Sequence, residues 1–69
     1  MDNTTLTGQT WVAFGPTGAI GSVHRTDGGY TFKLLDDAEF RGSFDTLEAA
    51  KGALRAAKPG VEVLEFREH

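Results

Sequence analysis

Residues 19–35 read AIGSVHRTDGGYTFKLL and place a tight turn between two runs of alternating side chains. An Asp-Gly pair favours a two-residue type I′ hairpin turn, and Asp27-Gly28 supplies it. This turn puts the apolar residues of both strands on one face, so we predict an antiparallel hairpin. The aligned pairs are Gly21 with Leu34, Val23 with Phe32, and Arg25 with Tyr30.

Further strands are predicted on both sides of this hairpin. Upstream, residues 10–14 (TWVAF) are rich in strand-forming side chains and end at the turn residues 15–18, GPTG. Downstream, residues 36–38 (DDA) form a three-residue turn into a fourth strand. These registers predict a four-stranded antiparallel meander. The pairs expected across the last turn are Leu34 with Phe40, Phe32 with Gly42, and Tyr30 with Phe44.

A single helix is predicted after the meander. Asp45 is a favoured N-cap residue, and Glu48 three residues later completes a capping box. Pro59-Gly60 ends the helix. Residues 61–66 form a last short strand, and one place for it is beside the first strand, antiparallel to it. The apolar side chains of the helix recur on one face: Leu47, Ala50, Ala53, Leu54 and Ala57.

The element order β-β-β-β-α-β therefore predicts an α+β fold, with one helix packed on one face of an antiparallel sheet. A chain of 69 residues has room for one such domain. The predicted organisation is a flexible lead-in at residues 1–9, a single domain at residues 10–66 and a polar tail at residues 67–69.

Composition narrows the class of protein. The chain has no cysteine, which excludes disulfides and fits a reducing compartment. His24 and His69 lack the spacing of a structural zinc site, and we expect no metal and no cofactor. No apolar run approaches the roughly 20 residues that cross a bilayer, and Asp2 stands where a signal peptide carries a base. We therefore expect a cytoplasmic protein that does not bind membranes.

The candidate motifs for chemistry have simpler interpretations. The glycines of residues 15–21 precede a strand, whereas a phosphate-binding loop requires a helix at that point. Asp36 and Asp37 belong to a solvated turn, where nothing separates their pKa values. His24 stands alone on the sheet face away from the helix. We expect no catalytic residues, and an enzyme is the last function we would assign.

The sheet face away from the helix, here called the open face, is the first candidate for function. One helix covers one face, and the other is then normally polar. Here part of it is apolar, which is typical of an interaction site. We therefore expect a small non-catalytic module that binds a partner protein or a second copy of itself through this face. The predicted partner-binding residues are Val12, Phe14, Ile20 and Leu35.

Nucleic-acid binding by the same face is the alternative function. Three basic candidates, His24, Lys33 and Arg41, are expected there, with Lys33 directly opposite Arg41. The net charge of −3 opposes attraction to phosphate, so strong binding to duplex DNA is not expected. The sequence names neither a partner nor an oligomeric state.

Two resemblances to known families bear on these expectations. Residues 29–30 (GY), residues 44–50 (FDTLEAA) and Leu54 resemble the arm-type DNA-binding domain of phage integrases. That resemblance implies a three-stranded sheet with one helix and DNA binding, although the sheet of that family is basic and this chain is acidic. The whole chain, including residues 65–69 (EFREH), also resembles short actinobacterial proteins without an assigned function. This second resemblance implies a bacterial protein.

Overall fold

A five-stranded antiparallel sheet and one helix make up residues 6–69, the part of the chain that this computed structural model describes. The order β-β-β-β-α-β confirms the predicted α+β fold. The elements are β1 (Leu6–Gly15), β2 (Gly18–Thr26), β3 (Gly29–Leu34), β4 (Arg41–Phe44), α1 (Leu47–Ala57) and β5 (Glu65–Glu68).

The central hairpin forms as predicted. β2 and β3 pair in the register that a two-residue Asp27-Gly28 loop sets, with Val23 opposite Phe32. Both side chains are buried on the helix side of the sheet. The turn and the alternation of side chains therefore determine this register together.

The sheet order β4-β3-β2-β1-β5 places the last strand beside the first. β5 runs antiparallel to β1, as one of the predicted arrangements required. The strand occupies Glu65–Glu68 rather than residues 61–66. Arg67 and Glu68, predicted as part of a polar tail, pair with Val12 and Trp11. Backbone pairing to β1 orders them, although their side chains are polar.

β1 is longer than predicted, because it begins at Leu6. The prediction of a flexible lead-in at residues 1–9 is wrong for residues 6–9, and residues 1–5 lie outside the described part of the chain. Leu6 pairs with Thr26, and an irregularity at Gly8, whose φ is +96°, separates that pair from Thr10 opposite His24. Between these two pairs, the Thr7 hydroxyl donates to the carbonyl oxygen of Arg25 at 3.5 Å, and the guanidinium of Arg25 donates to the Gln9 side chain at 3.1 Å.

The helix begins one residue later than predicted. Thr46 is the N-cap, and its hydroxyl accepts a hydrogen bond from the backbone N–H of Ala49 at 3.1 Å. Asp45 is therefore not the cap, and no capping box with Glu48 forms. Glu48 lies in the first turn instead, where the positive end of the helix dipole stabilises its carboxylate.

One hydrophobic core lies between the helix and the sheet. Ala50 and Leu54 are the buried residues of α1, so the predicted apolar face of the helix packs on the sheet. Trp11, Tyr30 and Phe44 pack around the edge of this core. The buried apolar residues are Ala13, Ile20, Val23, Phe32, Leu34, Ala50 and Leu54.

A β-bulge turns Ile20 into this core. Ala13 pairs with Gly21 and Phe14 pairs with Ala19, so Ile20 is an extra residue on β2. The extra residue shifts the alternation of side chains at this point. Ile20 is only 8% exposed and packs in the core. Its predicted position on the open face is therefore wrong.

A second irregularity lies between β3 and β4. The predicted pair Tyr30–Phe44 forms, but Phe32 lies opposite Arg41 rather than Gly42, and Phe40 precedes β4 instead of pairing with Leu34. The hydroxyl of Thr31, which is 2% exposed, lies 2.8 Å from the carbonyl oxygen of Gly42 and 3.1 Å from that of Arg41. The single hydroxyl hydrogen of Thr31 is thus shared between two backbone carbonyls at the irregular step of the ladder.

Candidate functional site

The four predicted partner-binding residues do not form one patch. Val12 and Phe14 lie half-buried on the open face. Ile20 lies in the core, whereas Leu35 is 64% exposed. The structure nevertheless brings Ile20 and Leu35 together, because both line a groove at one end of the sheet.

This end groove lies between the β1–β2 turn, the residues that follow β3, and the segment after α1. Its volume is about 230 Å³. The buried side chains of Ile20 and Leu34 contribute apolar lining, and the exposed side chains of Leu35 and Val61 stand at its rim. The lining residues are Thr17, Ala19, Ile20, Leu34, Leu35, Asp36, Lys58 and Val61.

Backbone hydrogen bonds hold the exposed apolar residues of the groove in place. The N–H of Leu35 donates to the carbonyl oxygen of Ile20 at 3.0 Å, so Leu35 is fixed although it follows the last residue of β3. The N–H of Val61 donates to the carbonyl oxygen of Lys58 at 3.2 Å. Hydrogen-bonded backbone therefore places both residues at the groove, although their side chains are exposed.

The rim also carries two charged residues of opposite sign. Asp36 adjoins Leu35 on the β3–β4 connection, and Lys58 is the C-cap of α1. Neither residue takes part in the ion pairs found within residues 6–69. The end groove therefore combines an apolar interior with one acid and one base that form no ion pair within residues 6–69.

The open face has a polar, hydrogen-bonded centre. His24 Nδ1 lies 3.2 Å from the Thr10 hydroxyl, and His24 Nε2 lies 2.8 Å from the Ser22 hydroxyl. The ring of Phe40 packs edge-on against His24 with 4.9 Å between centroids. Burial, with a smaller contribution from the charge of Lys33, holds the pKa of His24 below its ordinary value of 6.5.

The contact between Ser22 and His24 has the distance of a nucleophile and its base, but its surroundings differ from those of a catalytic pair. The group on the other ring nitrogen is the hydroxyl of Thr10, which carries no charge to stabilise an imidazolium. The lowered pKa also makes His24 a weaker base. We therefore interpret these contacts as hydrogen bonds that order the open face.

The three predicted basic residues lie near one another, but each has a contact within the chain. Arg41 is held by Asp37, with distances of 2.7 Å from Nε to Oδ2 and 2.9 Å from Nη2 to Oδ1. Lys33 Nζ lies over the ring of Phe40, 5.4 Å from its centroid. Arg41 lies opposite Phe32 in the β3–β4 ladder, so Lys33 is not directly opposite Arg41 as predicted.

Asp37 and Phe40 are two residues whose roles the sequence did not reveal. The carboxylate of Asp37 also accepts the backbone N–H of Leu34 at 2.9 Å, so it joins both ends of the β3–β4 connection. Arg41, and secondarily Leu34, lowers the pKa of Asp37. An aspartate at a turn with an arginine four residues later was the available signal.

Within residues 6–69, no three acidic, histidine or cysteine side chains lie close enough together to hold a metal ion. No helix among those residues has the length and apolar character needed to cross a membrane. Comparison with known proteins gives no assignment, since no family model, no curated protein and no solved structure matches the chain. The two resemblances in the sequence therefore stay predictions.

Proposed function

We propose that this chain is a non-catalytic interaction module that binds a partner polypeptide through the end groove. The observation that supports this most is Leu35, an apolar side chain that is 64% exposed beside a groove lined by Ile20 and Leu34. Exposed apolar surface grouped around a concavity usually marks a binding site.

The size of the groove favours a side chain over a small molecule. Sites for small ligands usually have volumes of about 300–1,000 Å³ and enclose most of the ligand. The end groove has about 230 Å³ and opens to solvent. It is large enough for one apolar side chain of a partner, and its charged rim would contact the residues beside that side chain.

The proposed surface is displaced from the open face on which the sequence placed it. The bulge at Ile20 moves that side chain to the helix side, and Arg67 lies over the ring of Phe14 with 5.3 Å between its guanidinium carbon and the ring centroid. The open face is therefore partly covered by its own charged and polar side chains, while Leu35 stays uncovered.

Nucleic-acid binding has weaker support. Of the three basic candidates, Arg41 is occupied by Asp37, and the lowered pKa of His24 favours its neutral form. Lys33 is then the remaining cation of the set, and the chain has a net charge of −3. One lysine, which also lies near the carboxylate of Asp37, supplies little of the phosphate attraction on which such binding depends.

The test compares Leu35→Asp with Leu64→Asp in a tagged chain, using cross-linking in cells that express it. Leu64 is 57% exposed and does not line the groove, so it is a matched control. We expect wild type and Leu64→Asp to cross-link to the same polypeptides and Leu35→Asp to lose them, with identical circular dichroism spectra. Equal cross-linking by all three folded proteins would contradict the proposal.

A further inference from the structure

The end groove has a self-complementary arrangement of side chains. Of the three chain segments that line it, two each supply one apolar and one charged residue. The β3–β4 connection supplies Leu35 and Asp36, and the segment from the helix C-cap supplies Val61 and Lys58.

A two-fold axis turns this arrangement into a matching interface. In an isologous dimer the same patch is used twice, so each residue meets whatever lies at the symmetry-related position. An axis that passes between Asp36 and Lys58 brings the acid of one copy to the base of the other, and does so twice. The apolar residues of the two segments then meet between the two ion pairs.

We propose that the occupant of the end groove is a second copy of this chain, docked about such a two-fold axis; this inference rests on the end groove being the binding surface. Asp36 and Lys58 are suited to the role because neither forms an ion pair within residues 6–69. Pairing across the axis neutralises both charges beside the buried apolar contact.

The edges of the sheet are poor alternatives for self-association. The outer strand β5 carries Glu65, Arg67 and Glu68, and charged side chains oppose the addition of another strand. The other outer strand, β4, has four residues and an irregularity at Gly42, whose φ is +71°. A second copy is therefore expected at the end groove rather than at either edge.

The dimer is expected to be transient. Standard stable interfaces use about 20–30 residues from each partner. Eight residues line the end groove, so the contact belongs to the smaller and weaker class. Its detection requires measurements over a wide range of concentration.

The first measurement is sedimentation equilibrium of the purified chain from micromolar to millimolar concentration. We expect the mean mass to rise towards twice the monomer mass for wild type and for Leu64→Asp, and to stay at the monomer value for Leu35→Asp. A wild-type chain that stays monomeric over the whole range would overturn the inference. Loss of cross-linking to other polypeptides by Leu35→Asp would still support the end groove, so the two proposals fail separately.

Charge reversal tests the symmetry itself. Asp36→Lys places two lysines on the rim, and Lys58→Glu places two acids there, so each variant alone should associate at least tenfold more weakly than wild type. Mixed in equal amounts, they should form a heterodimer, because both cross-axis pairs are again of opposite sign. Association of the separate variants as strong as that of wild type, or no heterodimer on mixing, would show that the axis is wrong.

Discussion

Replacement of Ile20 by alanine tests the bulge that separates the structure from the simple alternation of the sequence. Ile20 is 8% exposed, and the change removes three carbon atoms from the core. At about 0.8 kcal/mol for each buried methylene-sized group, the lost transfer free energy is about 2.4 kcal/mol. Substitutions of this kind cost about 2–5 kcal/mol once the cavity is included.

Ile20 should lie in the lower half of that range, because it borders the end groove and its surroundings can relax into the vacated space. We expect a loss of about 2–3 kcal/mol in the free energy of unfolding. For a domain of this size the melting temperature should fall by roughly 10–20 °C. Stability near the bottom of the usual range of about 5–15 kcal/mol would leave the variant only marginally folded.

The control is Leu35→Ala, because the sequence placed both residues in the same exposed corner. Leu35 is 64% exposed, so its truncation should change the free energy of unfolding by less than about 0.5 kcal/mol. The assay is urea unfolding followed by Trp11 fluorescence and far-ultraviolet circular dichroism, at a concentration where the chain is monomeric. Equal losses for Ile20→Ala and Leu35→Ala would refute the placement of Ile20 in the core.

Three further outcomes are expected. Thr46→Ala should lower the free energy of unfolding by about 1 kcal/mol through loss of the N-cap, whereas Asp45→Ala should change it by much less. Urea titrations that rank the two variants in the opposite order would restore Asp45 as the cap. Because burial lowers the pKa of His24, the unfolded chain binds the proton more readily; stability should be complete above pH 6.5 and fall as the pH drops towards the lower pKa of the folded state. His24→Gln should weaken the dependence of the melting temperature on pH across that interval. An unchanged pH dependence would argue against the buried ring. A labelled DNA duplex titrated at moderate salt should show no strong binding, and micromolar affinity that Lys33→Glu weakens would favour the nucleic-acid alternative.

The central hairpin could be predicted because its determinants are local. Asp27-Gly28 favours one turn type, and that turn fixes which residues of the two strands face each other. The apolar face of the helix and its end near Pro59 follow from periodicity and backbone chemistry in the same way. The first strand could only be predicted in part, because residues 6–9 show no apolar alternation. They are ordered by the pairing of Leu6 with Thr26 and by contacts of Thr7 and Gln9 with Arg25.

The candidate site shows where such reasoning ends. The sequence grouped Ile20 with Leu35 and Phe14, since strict alternation along a strand puts them near one another on one face. Phe40 was expected opposite Leu34, but it packs on His24 instead. Each difference follows an irregular step in a ladder, and one extra residue is enough to reverse the face that a side chain occupies.

By itself, the sequence determined the elements, their order, the register of the central hairpin and the helix face that enters the core. Only the tertiary structure decided where the strands bulge, which side Ile20 takes and where the exposed apolar surface lies. A bulge loses regular backbone hydrogen bonds. The contacts that compensate for this loss come from residues distant in sequence. Ile20 gains burial in the core formed with Leu34 and Leu54, and the Thr31 hydroxyl donates to the carbonyl oxygen of Gly42 at the second irregularity. Those partners are brought together by the complete fold, so the end groove exists only once the sheet and the helix have packed.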